Sequence, residues 1–200
     1  MDPLSASFST AGYLEELSTA LHAIDRPTIE RMADAVYGAH EARRSVFICG
    51  NGGSAAVASH WAADLSKLTA VPGQPRLRVT SLTDSAATIT AAANDFDYSE
   101  IFVDQLRTFM SPGDVVIGIS TSGRSPNVLR ALEYAGAHGG VSLGITGQNG
   151  GALQAVAPTT LVVASTSVQR IEDVAGVAAH LVCLLTRQRL AAEVRTARLA

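Results

Sequence analysis

Three short apolar runs in this chain end in the same way, and that recurrence constrains the fold more than any other feature. "SVFIC" runs into "GNGGS", "DVVIGIS" into "TSGRS" and "VSLGIT" into "GQNGG". Two further runs, "LRVTSL" (77–82) and "TTLVVAS" (159–165), share the length and apolar content without the glycine-rich ending. Short, near-continuous apolar runs bounded by turn residues read as buried strands of a parallel sheet.

Helical stretches alternate with the runs. One follows "GNGGS"; "DSAATITAAAND" and "YSEIFVDQLRTFM" follow the second run; others start at Asn127 and at about Gln169. Ahead of the first strand, Phe8, Leu14, Leu17, Leu21 and Ile24 recur at near-helical spacing. A second helix is predicted to start after Asp25 as N-cap, with Pro27 in its first turn, carrying Ile29, Met32, Ala33 and Val36. Strands alternating with helices predict an α/β fold, a three-layer α/β/α sandwich on a five-stranded parallel sheet. Residues 1–43 are expected to form N-terminal helices of the same domain, and 44–200 its α/β body.

At 200 residues with 47% hydrophobic and 16% charged side chains, the chain can bury a core and is not of disordered composition. A formal net charge of −3 gives no footprint for nucleic acid or a membrane surface. Cys49 and Cys183 stand far apart in apolar contexts, which predicts free thiols and a cytoplasmic protein. The opening "MDPLSASFSTAGYLEEL" has no basic start followed by an apolar run, and no stretch reaches the roughly 18 apolar residues of a membrane span.

Parallel sheets bind ligands beyond the carboxyl ends of their strands, where this sequence places its small residues. The glycines of "GNGGS" let backbone approach a ligand, and the following helix presents free N–H groups. In "STSGRS", Ser120, Thr121, Ser122 and Ser125 add four hydroxyls, a neutral donor nest for a phosphate. Exclusions sharpen this reading. No G-x-x-x-x-G-K-[ST] occurs. "GNGGSA" matches the loose dinucleotide pattern, but the second strand ends "VTSLT" without the acidic residue that would bind ribose, so no nucleotide cofactor is expected. "GISTS" is not a nucleophile elbow.

His60 and Asp64, four apart on a predicted helix, share a face. The C-terminal helix adds Glu172 and His180; eight residues apart, they lie about 80° off a common stripe. Two histidines and two carboxylates suit zinc or another divalent ion, and equally suit acid/base work on a sugar; the plain alternative is structural hydrogen bonding. His22, His40 and His138 read as surface residues.

Five ordered motifs, "GNGGSAA" with His60 and Asp64, "ANDFDY", "STSGRSPNVL", "GITGQNGG" and "RIED" with His180, resemble the SIS (sugar isomerase) domain. Within it the chain is similar to the sedoheptulose 7-phosphate (phosphoheptose) isomerase family over nearly its whole length. The resemblance implies a flavodoxin-like fold, homotetramers with sites between subunits, and zinc, one per site. It further implies enediol proton transfer that turns the ketose phosphate into D-glycero-D-manno-heptose 7-phosphate. By motif it makes Asn51, Gly52, Gly53, Ser54, Asn94, Asp95, Ser120, Thr121, Ser122, Ser125 and Glu172 substrate contacts. The same match makes Asp64, Glu172 and His180 catalytic, and His60, Asp64, Glu172 and His180 metal ligands. Its alternative implication is a non-catalytic SIS module that binds a sugar phosphate or a protein partner.

The chain departs from the family's pattern at four places. Asp64 stands where the family has Glu, and Glu172 where it has Gln. Losing one methylene sets the first carboxylate back by about 1.5 Å, a misplacement that can cost about a hundredfold in rate. The carboxylate role is therefore expected to have moved partly from one helix to the other. Ala175 replaces a family histidine, and Leu68 a basic residue for which Lys67 is the nearest substitute.

Overall fold

The computed structural model describes residues 8–199. Two helices, α1 (Thr10–His22) and α2 (Arg26–Glu41), lead into β1 (Ser45–Gly50) and α3 (Gly53–Leu68). Then come β2 (Arg78–Ser81), α4 (Ala86–Asp95), a 3-10 turn (Tyr98–Glu100), α5 (Val103–Phe109) and β3 (Val115–Ile119). The chain finishes with α6 (Pro126–Ala137), β4 (Val141–Thr146), α7 (Leu153–Val156), β5 (Thr159–Val162) and α8 (Val168–Leu199). All five strands pair in parallel in the order β2-β1-β3-β4-β5, so the predicted three-layer α/β/α sandwich is what the chain forms.

The pleat of β1 sends alternate side chains to opposite cores. Val46 and Ile48 join Ala58, Trp61 and Leu65 of α3, Met32 and Val36 of α2, and Val174, Ala178 and Val182 of α8. Phe47 and Cys49 face the other way, to Leu106 of α5 and Val128, Ala131 and Leu132 of α6. The helices after β1 and β3 therefore leave on opposite faces of the sheet. In this strand order their diverging loops open a crevice at the switch point between β1 and β3.

Several elements differ from expectation. "YSEIFVDQLRTFM" divides into the 3-10 turn and α5 rather than forming one helix. β5 ends at Val162, three residues early. Asp25 caps α2 as expected, with Pro27 in the first turn, but its carboxylate accepts the Thr28 hydroxyl rather than a backbone N–H. His40 is buried, not on the surface, with Nε2 3.0 Å from the Pro75 carbonyl. The loop between α3 and β2 folds over the end of α2, which the local sequence does not reveal. Leu17 and Leu21 of α1 and Ile24 just beyond it pack on the core, while Leu14 of α1 and Phe8 ahead of it stay exposed.

Two measurements test this architecture. A methyl at Gly50 would sit 2.8 Å from the Ser54 carbonyl oxygen, rigid backbone that cannot give way; at Gly38, inside α2, it meets nothing within 4 Å. Urea unfolding is expected to show Gly50→Ala losing about 1–3 kcal/mol and Gly38→Ala gaining about 0.5–1 kcal/mol. Burial pushes the Cys49 and Cys183 thiols up to about 12. Neither should react with iodoacetamide at pH 8 until the protein is unfolded, and rapid labelling of folded protein would contradict the packing.

Candidate active site

The loop after β1 turns on Gly52, whose φ of 57° lies in the left-handed region that glycine enters without strain. It delivers the chain directly into α3, whose N-cap, Gly52, supplies no side-chain acceptor. The first N–H groups of α3 therefore stay available to an anion.

The loop after β3 carries the hydroxyls. Ser120 is buried, with its Oγ 3.0 Å from Ser125 Oγ; Ser122 is exposed and Thr121 and Ser125 are half-buried. Ser125 is the N-cap of α6 but makes no side-chain bond to the helix; Pro126 carries no N–H and Val128 N–H donates to Asn127 Oδ1, so the Asn127 N–H is what that terminus offers an acceptor. Arg124, exposed between the serines, adds a positive charge that the sequence reading passed over.

The third glycine-rich turn buttresses this loop. Gly147 N donates to the Thr121 carbonyl at 3.0 Å, and Leu153 N to the Gly123 carbonyl at 3.1 Å. Gly123, at φ 64°, lies so close to Gly150 that an added Cβ would overlap the Gly150 carbonyl. A Cβ on Gly147 would meet Thr121 O at 2.8 Å and Ile171 Cδ1 at 2.5 Å, so the start of α8 closes on the same junction.

The acid/base candidates sit where α3 and α8 pack side by side, running in the same direction. His60 Nε2 and His180 Nε2 are 2.9 Å apart, and each is 3.4 Å from Asp64 Oδ2. Both imidazoles are about half exposed while Asp64 is largely covered. Two ring nitrogens this close must share a proton or a cation. Donor separations of this size match the edges, about 3.4 Å, of a tetrahedral divalent site with bonds of about 2.1 Å. The donor set therefore fits such an ion.

Glu172 stands apart from that trio. Its carboxylate lies against Gly53, where an added Cβ would overlap it, and its Oε1 accepts the Ser54 hydroxyl at 3.2 Å. It thus sits at the N-terminal end of α3. Of the four expected ligands, three form one cluster and the fourth sits beside the glycine loop.

Asn94 and Asp95 end α4 in solvent, the Asn94 amide donating to Asp95 Oδ1 at 2.8 Å. Lys67 is exposed in the last turn of α3, and Leu68 packs on the core. Ala175 is fully buried in the seam between the two helices. Two residues outside the expected set join the loops. Asn127, at the start of α6, exchanges hydrogen bonds with Asn51, and the Tyr98 hydroxyl donates to Asn51 Oδ1 at 3.2 Å.

Comparison with known proteins gives this geometry a context. Residues 12–147 match the model of the SIS domain. A phosphoheptose isomerase of Paramagnetospirillum magneticum is 39% identical over 86% of this chain and 89% of its own length. One of Desulfovibrio desulfuricans is 43% identical over 70% of this chain and 67% of its own. The solved phosphoheptose isomerases of Francisella tularensis and Neisseria gonorrhoeae superpose with a TM-score of 0.81 each, at 32% and 28% identity. Both superpositions cover 89% of this chain and 96% of the other.

The tight seating of Gly123 generates a prediction. Gly123→Ala forces an L side chain into a left-handed position against backbone, so the serine loop must shift. Calorimetry should show sugar-phosphate binding weakened at least about tenfold, because a displaced nest loses more than one charge-assisted hydrogen bond. Unchanged binding would detach the hydroxyl loop from anion recognition.

Proposed function

Because the chain belongs to the SIS-domain phosphoheptose isomerase family, we propose that it converts sedoheptulose 7-phosphate to D-glycero-D-manno-heptose 7-phosphate. The observation that carries this reading is the pairing of two features across the crevice. An open donor loop follows β3, and a carboxylate, Glu172, lies on the glycine loop that follows β1.

The phosphate is held by Ser120, Thr121, Ser122, Ser125 and the N-terminus of α6. The sugar extends along the backbone of Asn51, Gly52 and Gly53 and along Ser54 toward Asn94 and Asp95. Glu172 takes the proton from C1, and the electron pair released makes the C1–C2 double bond of the enediol. The same carboxylate returns the proton at C2 as the aldehyde forms at C1. His180 exchanges the proton on the two sugar oxygens, drawing on the one its Nε2 shares with His60 beside Asp64. Glu172 rather than Asp64 is the base in this account, because Asp64 Oδ2 is engaged by both imidazoles. A zinc ion held by His60, Asp64 and His180, with Glu172 as the fourth ligand that the family resemblance implies, would supply positive charge at those oxygens in place of the shared proton.

The chain is proposed to act as one domain, with residues 1–43 serving assembly; residues 1–7 of that span lie outside the described residues. A homotetramer with sites between subunits is supported by exposed Leu14 on α1 and by exposed Val177, Leu181 and Leu184 on α8. The two unpaired thiols support the cytoplasm, and among the described residues no helix is long and apolar enough to cross a membrane. A purely binding SIS module is less favoured, since it has no use for an imidazole pair held against a carboxylate.

The test is turnover of sedoheptulose 7-phosphate, with and without added zinc. His180→Ala and Glu172→Gln should each lower kcat by about 10²–10⁴, the range of a lost general acid or base, and Asp64→Asn by less. Metal analysis should find one zinc per chain, lost in His60→Ala. An inactive wild-type protein in both conditions would sink the isomerase reading, and full activity in Glu172→Gln would return the base to Asp64.

A further inference from the structure

Asn51 opens the glycine loop, and its motif position marks it as a substrate contact. Its amide, however, is already occupied. Oδ1 accepts from Asn127 Nδ2 at 2.8 Å and from the Tyr98 hydroxyl at 3.2 Å; Nδ2 donates to Asn127 Oδ1 at 2.9 Å. An amide oxygen has two acceptor sites and its nitrogen two hydrogens. One N–H of the Asn51 side chain is all that remains for any ligand. Asn127 is equally committed: its Oδ1 also accepts the Val128 N–H at 3.0 Å, and the residue is only 1% exposed. Such reciprocal amide pairing, largely shielded from water, holds both partners in one orientation.

The partners come from three separate stretches of chain. Asn51 belongs to the loop after β1, and Asn127 to the first turn of α6, directly beyond the hydroxyl loop. Tyr98 opens the 3-10 turn after Asn94 and Asp95. The loops of β1 and β3 diverge by construction, because α3 and α6 leave for opposite faces of the sheet. Among the described side chains, the Asn51–Asn127 pair is the direct hydrogen-bonded link between the glycine loop and the helix that begins at the serines.

We propose that Asn127 and Tyr98 are positioning residues, and that the Asn51 side chain is a strut rather than a substrate contact. Together they set the distance between the phosphate loop and the glycine loop on which Glu172 rests. This inference rests on the isomerase reading for its kinetic consequence but not for its geometry. With the phosphate still anchored by the serines, loss of the strut misplaces C1 and C2 relative to Glu172. The cost falls on kcat more than on KM.

A double-mutant cycle reads this directly. Asn51→Ala and Asn127→Ala should each lower kcat about a hundredfold, with KM within about threefold, and the double variant should lose no more than either single one. Tyr98→Phe, an exposed hydroxyl deletion that leaves the ring in place, should lower kcat about threefold to tenfold. Hydrogen exchange supplies a readout free of turnover. Asn127→Ala should speed exchange in residues 50–54 and 96–101, away from the substitution. Additive losses in the cycle, or a raised KM with kcat intact in Asn51→Ala, would restore the substrate contact and overturn the strut. Exchange that changes only around residue 127 would overturn it as well, even for a wild-type protein that fails to turn over the heptulose phosphate.

Discussion

The contact between α3 and α8 is the constraint on which the rest of this site depends. Residues more than 100 apart in sequence meet there because both helices present small side chains to the seam. The two helices share one apolar core, to which α3 contributes Ala58, Trp61 and Leu65 and α8 contributes Val174, Ala175, Ala178, Ala179 and Val182. Small seam residues let helix axes approach closely, and close approach is what brings His60 Nε2 within 2.9 Å of His180 Nε2. A larger side chain at Ala175 would push the helices apart at the level between Glu172 and His180. Full burial of Ala175 and tight pairing of the two imidazoles are thus one fact seen from two sides.

The sheet supplies the complementary half. A parallel sheet ordered β2-β1-β3-β4-β5 opens a crevice where β1 and β3 send their helices to opposite faces. The crevice alone is only a gap between two loops. Gly147, Gly150 and Gly151 press their backbone against the serine loop, and Leu153 N bonds to Gly123 O. The third glycine-rich turn therefore acts as a wall behind the donors. Glycine is needed at Gly123 because the backbones approach closer than any Cβ allows, and because φ is positive there.

Much of this was legible in the sequence, for local reasons. Strand positions follow from runs such as "SVFIC" and "VSLGIT", whose pattern needs no partner to be recognised; β4 matches its predicted span of Val141–Thr146. The sharing of a face by His60 and Asp64 follows from helical spacing alone. Features set by packing between distant segments were not legible. His40 reads as a surface histidine until the loop carrying Pro75 closes over it. Glu172 and His180 lie off a common stripe of their helix, so spacing gives Glu172 no partner, and only the fold hands it to Gly53 and Ser54. Asn127 gave no signal, since asparagine near a helix start is common for reasons of capping, and only the pairing with Asn51 reveals its role.

The exchange of carboxylates between positions 64 and 172 can be understood as a single change. A shorter Asp64 cannot reach as far from α3 as a glutamate, and here its Oδ2 is held 3.4 Å from both imidazoles. That geometry suits neutralising a shared proton or an ion, and leaves little freedom to visit a substrate carbon. A glutamine at 172 could donate and accept hydrogen bonds but could not remove a proton. Glutamate at that position can, and the Ser54 hydroxyl donates to its Oε1. In the proposed mechanism each departure alone would weaken the site: Asp64 by withdrawing the base, Glu172 by adding an unneeded negative charge beside the sugar. Made together, they separate two duties that one glutamate would otherwise combine. In the proposed mechanism, neutralising the imidazole pair falls to α3, and moving the proton falls to α8.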